Sequence, residues 1–229
     1  MNKMKTFVVA ALLAMSATAG AADHLYQLNG SLSDSLGGPD LIANGGTLTA
    51  THYVFGKDQG LTLPVALGGV YTIDMVMNFD NYGGWQKIID FSNLSADAGM
   101  YTYGSQWNFY PVGGGGTTPD VGKEARLTVT RDAASNVGVY VNGSLTISFN
   151  DSSGYANFGG NNANFFIDDF HTSQNEATSG AVDYIRTWDH ALTADEVGRL
   201  ASPVPEPDSI AMLAVGLSML AVLRRRVRK

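Results

Sequence analysis

The chain has 229 residues, a formal net charge of −7 and no cysteine, which excludes disulfides, thiol chemistry and cysteine-ligated metals. The charge is unevenly placed: Lys3 and Lys5 make the N-terminal segment +2, the residues from Pro205 onward carry +3, and the body between them is left with −12. Such a body has no basic stripe with which to neutralise phosphates, so nucleic acid is excluded as a partner, while a hard cation or a cationic surface would be welcome.

At the N-terminus a basic start (Lys3, Lys5) precedes an apolar stretch over 7–15 and a small-residue run over 16–22. This is the layout of a secretory signal peptide over 1–22, cleaved after Ala21 or Ala22. Residues 23–202 are then long enough for one sizeable core and too few for two ordinary domains.

The body reads as β throughout. Tyr71, Ile73, Met75, Met77 and Phe79 alternate with Thr72, Asp74 and Asn78, which predicts a half-buried antiparallel strand. Trp85, Ile89 and Phe91 repeat the alternation and read as core, as does Trp188. Tyr101, Tyr103, Trp107 and Tyr110 interleave with Thr102, Ser105, Gln106 and Asn108. Packing competes with sugar stacking as the role of these four aromatics, and they are the candidate ligand-binding residues. The glycines at 113–116 are expected to form a flexible loop; they lack the lysine and helix a phosphate loop needs. Turn clusters such as Gly37-Gly38-Pro39, Gly45-Gly46 and Gly159-Gly160 divide the chain into many short strands, the pattern of a sandwich and not of βαβ units.

One hairpin can be read to its register. A two-residue loop at Asn142-Gly143 would put the apolar rows 137/139 and 145/147/149 on opposite faces. A three-residue loop, Val141-Asn142-Gly143, would pair Val139 with Leu145 and bring both rows to one face, with Gly143 left-handed.

Further on, Asp168 and Asp169 follow an apolar run and Glu176 comes shortly after. Adjacent strand residues face opposite sides, so both aspartates can act together only at a strand end or bulge. Asp168, Asp169 and Glu176 are the candidate metal ligands, with calcium as the ion, against the plainer reading of a solvated acidic loop. Asp34, Asp80 and Asn81 are weaker candidates. Thr193 and Glu196 have capping-box spacing and Leu192 and Val197 fall at the staple positions, which predicts a short helix over 194–200 ended by Ser202-Pro203.

The C-terminal segment, 203–229, holds Pro205-Glu206-Pro207, an uncharged stretch over 209–223, and a cationic end with Arg224, Arg225 and Arg226. A helix without a polar stripe belongs in protein or lipid. Fifteen residues reach about 22 Å, short of a hydrocarbon core of about 30 Å, a gap that snorkelling arginines and bilayer thinning can cover. The cationic end should remain cytoplasmic.

These three parts, in this order, resemble the PEP-CTERM sorting signal of Gram-negative bacteria. The resemblance implies handling by an exosortase that cuts near residues 205–207, so that the chain is transiently anchored in the inner membrane through its tail and then reaches the cell surface or extracellular matrix. A second resemblance rests on Val182 to Val197, on Arg126 to Asp132 with Val139 to Gly143, and on the strand ending at Phe79. These resemble the closing strand and helical turn, the central hairpin, and the preceding strand of laminin G-like, concanavalin A-like domains. It implies an all-β jelly-roll sandwich of two antiparallel sheets, flanked here by a signal peptide and a C-terminal hydrophobic helix.

Members of that group include lectin-like modules, calcium-binding adhesion modules and glycoside hydrolases. A hydrolase needs two carboxylates about 5–10 Å apart. The Glu-x-Asp-x-Glu triplet of concanavalin-like hydrolases is absent, the body has only Glu124, Glu176 and Glu196 as glutamates, and Asp74 shares its face with Asn78 without a third acid. None of His24, His52, His171 and His190 lies in a nucleophile-elbow or His-Glu-x-x-His pattern. The sequence therefore favours a noncatalytic, exported module that binds glycan or matrix polymer, with calcium as its candidate ion. The alternatives are a structural or adhesive matrix protein without a small ligand and, behind it, a glycoside hydrolase.

Overall fold

The computed structural model describes residues 21–200. The stretch over 7–15, the Ser202-Pro203 stop and the hydrophobic segment over 209–223 lie outside the described residues. Fifteen strands and one helix follow in order: β1 (His24–Tyr26), β2 (Ile42–Ala43), β3 (Thr47–Leu48), β4 (Tyr53–Phe55), β5 (Leu61–Gly68), β6 (Tyr71–Phe79), β7 (Gln86–Asp90), β8 (Gly99–Tyr103), β9 (Gln106–Tyr110), β10 (Gly113–Thr117), β11 (Ala125–Arg131), β12 (Asn136–Val141), β13 (Ser144–Asn150), β14 (Gly159–Phe165), β15 (Gly180–Trp188) and α1 (Ala194–Arg199). An eight-stranded sheet runs β13-β12-β11-β6-β15-β4-β3 with β1 beside β15, and a seven-stranded sheet runs β10-β9-β8-β7-β14-β5-β2. The described pairings are all antiparallel.

The sheets face each other because period-two alternation gives each an apolar side that must leave water. Tyr71, Ile73, Met75, Met77 and Phe79 of β6 line one inner face, with Leu127, Val129, Val137 and Val139 beside them; Leu61, Leu63, Ile89, Met100, Trp107 and Phe109 line the other. Aromatic contacts span the gap. Phe109 lies 4.8 Å from Phe149, Phe55 stacks on Phe166 at 4.3 Å, and Tyr71 meets Phe158 edge-on at 5.1 Å. The Tyr71 hydroxyl donates to the Ala156 carbonyl at 2.7 Å, which satisfies its one polar atom inside the core.

β6 is buried on both faces where one wet face was expected, at Thr72 and Asp74. A second apolar cluster of Tyr140, Trp188, Leu192, Val197 and Leu200 covers the outer side of the eight-stranded sheet, so Trp188 is buried beneath α1 and not between the sheets. Thr72 receives the Leu192 N–H and donates to the His190 carbonyl. Asp74 accepts from Thr128 Oγ1 (2.5 Å), Tyr184 Oη (2.9 Å) and Arg186 Nε (2.8 Å). The helix begins as the sequence predicts. The Thr193 side chain accepts from the Glu196 N–H, the Glu196 carboxylate accepts from the Thr193 N–H, and Leu192 and Val197 are both buried.

The hairpin departs from its expected three-residue loop. Val141 pairs with Ser144 and Tyr140 with Leu145, which leaves Asn142-Gly143 as a two-residue turn with φ of 50° and 82°. Both positive values match the primed turns that suit strand twist, and Gly143 is left-handed as expected. The partner of the next residue, Val139, is Ile147. Thr146 is thus extra, and this bulge brings Ile147 and Phe149, though not Leu145, to the face of Val137 and Val139, a task the sequence reading had given to the loop. Leu145, opposite Tyr140, is left 55% exposed.

The glycines at 113–116 also differ from expectation: they form edge strand β10, paired with β9. A Cβ on Gly115 would meet the Thr146 carbonyl oxygen at 2.5 Å, so bare backbone is what lets the edges of the two sheets approach there.

Replacing the helix cap, Thr193→Ala, should cost about 1 kcal/mol. It should be read as a lower urea midpoint at unchanged slope.

Candidate functional site

The outer side of the seven-stranded sheet has no helix over it among the described residues, and the two sequence-predicted clusters meet there. On β8, Met100 faces the core while Tyr101 and Tyr103 face outward; on β9, Trp107 and Phe109 face the core while Gln106, Asn108 and Tyr110 face outward. Trp107 is therefore a core residue, fully buried with Nε1 donating to the Thr117 carbonyl at 3.2 Å, and it leaves the candidate ligand set.

Trp85 takes its place. Its ring stacks on Tyr103 at 4.2 Å and meets Tyr101 and Tyr110 edge-on at 5.4 Å and 5.6 Å. The sequence put Trp85 with Ile89 and Phe91 because all three are odd-numbered. A bulge in β7 shifts the register between Lys87 and Ile89, so Lys87 pairs with Tyr101 while Ile89 pairs with Met100. One extra residue reverses the faces of what precedes it. Tyr103 (46% exposed) and Tyr110 (38%) form an open ledge with half-buried Trp85, and fully buried Tyr101 is its floor.

The same bulge turns Lys87 toward the acidic residues. Its side chain is fully buried, and Nζ lies 2.5 Å from Asp169 Oδ2, 3.7 Å from Asp90 Oδ2 and 3.9 Å from Asp168 Oδ1, with all three carboxylates at zero exposure. Nζ also stands 4.7 Å from the centroid of the Tyr101 ring, whose hydroxyl reaches Asp97 Oδ1 at 3.0 Å and Asp169 Oδ2 at 3.4 Å. Asp168 and Asp169 lie just past the end of β14, where strand alternation has ceased, as the sequence required for them to act together. The segment after β14 is sewn to β7 by Phe166 N–H to Ile88 carbonyl (3.0 Å) and Lys87 N–H to Glu176 carbonyl (2.7 Å). Asp168 Oδ2 accepts from Thr172 Oγ1 and the Glu176 N–H; Asp169 Oδ1 accepts the His171 and Thr172 N–H groups.

Asp168, Asp169 and Glu176 are thus neighbours, and Lys87, which no motif flagged, stands among them as a built-in cation. Calcium takes six to eight oxygens. Both Asp169 oxygens and Asp168 Oδ2 are already engaged, which leaves Asp168 Oδ1, Asp90 Oδ2 and the Glu176 carboxylate around an ammonium. This donor set does not fit calcium.

Burial opposes ionisation of Asp169, but the Lys87 bond and charge and two N–H groups hold its pKa below the usual carboxylate range. Glu176 is pushed the other way, to about 7, first by burial and then by the charges of Asp97 and Asp168. The weaker candidates are structural clamps. Asp34 accepts the Leu25, Leu36 and Gly38 N–H groups and lies 2.7 Å from His24 Nδ1. Asp80 accepts from Ser179 Oγ, and Asn81 accepts the Gly83 N–H. Asp23, Asp189 and His190 present ligand atoms within 4.8 Å of one another, all at the surface.

Glu176 keeps its proton in the folded chain over a pH range in which the unfolded chain has released it. Stability should therefore fall as pH rises from about 4.5 to about 7. Urea midpoints at pH 5 and pH 8 should differ less in Glu176→Gln than in the unsubstituted chain; an equal difference would remove Glu176 as a source of the fall.

A family model described as the concanavalin A-like lectin/glucanases superfamily matches residues 55–198, and one for the PEP-CTERM protein-sorting motif matches 203–229. No curated protein matches the chain in sequence. Among solved structures, Trypanosoma rangeli sialidase in complex with 2,3-difluorosialic acid superposes with a TM-score of 0.62 at 15% identity, over 76% of this chain and 31% of that one. This chain thus corresponds to about a third of the sialidase. Domain 4 of a GH43 extracellular arabinanase from Geobacillus stearothermophilus, in complex with arabinotriose, gives 0.57 at 16% identity over 79% of this chain and 98% of that domain. The binding domain of botulinum neurotoxin serotype D gives 0.56 at 11% identity, over 77% and 50%. At such identities these likenesses speak for the fold alone, and with the sheet order they agree with the family match: the chain belongs to the concanavalin A-like lectin/glucanase superfamily and ends in a PEP-CTERM sorting motif.

Proposed function

We propose that this is an exported glycan-binding module whose ligand lies on the Trp85, Tyr103 and Tyr110 ledge. The sorting motif at 203–229 implies export, a membrane-anchoring tail and processing by an exosortase. The cell surface or extracellular matrix of a Gram-negative bacterium is the proposed destination, and its polysaccharide the proposed partner. The observation that carries the reading is the ledge itself. Three aromatic rings stand at the surface of the open sheet, held in place by a stacked contact between Trp85 and Tyr103 and an edge-on contact between Trp85 and Tyr110, and not by core packing. Aromatic faces on a rigid scaffold lose little entropy when a sugar ring stacks on them. Gln106 and Asn108 project from the same face of β9 and supply polar partners for hydroxyls. The arabinanase domain, of nearly the same extent as this chain's body and in complex with arabinotriose, supports the assignment.

The chain is proposed to bind and not to cleave. Asp74, the acid nearest to a hydrolase pattern in sequence, lies on the opposite sheet, fully buried and ion-paired with Arg186 at 2.8 Å. The proposed binding is calcium-independent, since Lys87 already holds the acidic residues together. The rival reading, a structural matrix protein without a small ligand, leaves the exposure of the ledge unexplained.

Two measurements test this. On a glycan array, Trp85→Ala and Tyr103→Ala should each weaken binding about tenfold, as for aromatic anchors at other interfaces; binding unchanged in the double variant would sink the assignment. Titration with calcium should leave both the melting temperature and glycan binding where a chelator leaves them, and a calcium-induced rise in either would restore the metal.

A further inference from the structure

The acidic cluster has more negative charge than its own cation can balance. Asp90, Asp168 and Asp169 are fully buried around the single ammonium of Lys87. Asp168 Oδ1 and Asp90 Oδ2 are both inaccessible to water, and neither accepts a hydrogen bond. Both point at the same lysine from 3.9 Å and 3.7 Å, too far for a good bond. Asp97 and Glu176, both half-buried, stand at the mouth of this cluster with a face still open to solvent. Lys57, a further cation beside the segment after β14, reaches Asn175 and not these carboxylates.

The mouth adjoins the ledge through one residue. The Tyr101 ring meets Trp85 edge-on at 5.4 Å, and its hydroxyl bonds both Asp97 and Asp169. A sugar ring beside Trp85 would therefore be separated from Asp97 by the Tyr101 side chain, and Glu176 lies close enough to Asp97 to feel its charge. Unbalanced negative charge beneath a half-open surface attracts a cation and repels an anion, and aromatic faces add to the first preference.

From this juxtaposition we infer that the ligand is a polysaccharide carrying free amine groups, an unacetylated amino-sugar polymer, and that its ammonium groups are received by Asp97 and Glu176. This rests on the glycan-binding reading of the ledge and adds the ligand's charge to it. The ammonium supplies the second cation that the buried carboxylates lack, and by offsetting the charges of Asp97 and Asp168 it draws the proton off Glu176. The same charge rejects polyuronates, which would bring carboxylates against carboxylates.

Calorimetric titration of the full chain with three oligosaccharides of equal length tests the inference: a glucosamine oligomer, its N-acetylated form and a galacturonate oligomer, below the pKa of the sugar amine. The glucosamine oligomer should bind roughly fivefold or more tighter than the acetylated one, the scale of one partly exposed ion pair. That advantage should shrink at high ionic strength and in Asp97→Asn/Glu176→Gln. The galacturonate oligomer should not bind. Equal affinity for the amine and acetylated forms, with loss in Trp85→Ala, overturns the charge assignment and leaves the ledge standing. Tighter binding of the galacturonate oligomer also overturns it. Failure of all three to bind overturns the inference together with the reading on which it rests. The salt dependence in the unsubstituted chain decides the matter even if the double variant folds poorly.

Discussion

A lysine ammonium with no access to water fixes the open side of this sandwich. Lys87 cannot be buried alone; the cost of removing an ammonium from water is several kcal/mol even after relaxation. It is met by Asp169 at 2.5 Å and by the charges of Asp90 and Asp168 close behind. Those aspartates come from opposite ends of the cluster, Asp90 from β7 and Asp168 and Asp169 from the segment after β14. The ion pair therefore determines where that segment lies, and the Asp169 and Asp168 oxygens order its turn through the Thr172, His171 and Glu176 groups. Tyr101 is held between this charge and the Trp85 ring, so the floor of the aromatic ledge is set by the same interaction.

The two outer faces have opposite fates. On the eight-stranded sheet, α1 and its apolar cluster close the surface, and Asp74 with Thr128, Tyr184 and Arg186 forms a satisfied polar layer beneath. Arg126 continues that layer to the helix, donating to the Val197 carbonyl at 3.0 Å. On the seven-stranded sheet no described helix intervenes, and aromatic rings face solvent. Carboxylates occur on both sides; on the seven-stranded side Asp90, Asp168 and Asp169 surround the one ammonium of Lys87. The asymmetry follows from which strand carries which partner: β15 brings Arg186 to Asp74, whereas β7 brings a single lysine to several acids.

Much of this was legible in the residues. The alternation of Tyr71 to Phe79, the capping box at Thr193 and Glu196, and the left-handed Gly143 each follow from local rules that tertiary packing had no cause to override. Asp168 and Asp169 can both face Lys87 because they stand past a strand end, where the alternation has ceased. Most of the failures are losses of phase. Bulges at Ile88 and Thr146 turned Trp85 outward and moved a residue of the hairpin loop into its strand, and the two-residue turn at Gly104-Ser105 set Trp107 opposite Thr102 on the core face. A bulge has no residue signature of its own; it is chosen by how two strands must meet a common core. The glycines at 113–116 likewise pair as a strand because a neighbouring edge, which no local rule reveals, passes within reach.

By itself the sequence determined the class of fold, the sorting tail and the acidity of the body, since these depend on composition, periodicity and linear order. Only the tertiary structure decided that an aromatic row near residue 101 and an acidic pair near residue 168 share one face, and that a lysine stands between them. Contacts between residues so far apart in the chain are fixed by strand order and register, and these are properties of the packed sheets and not of any segment alone.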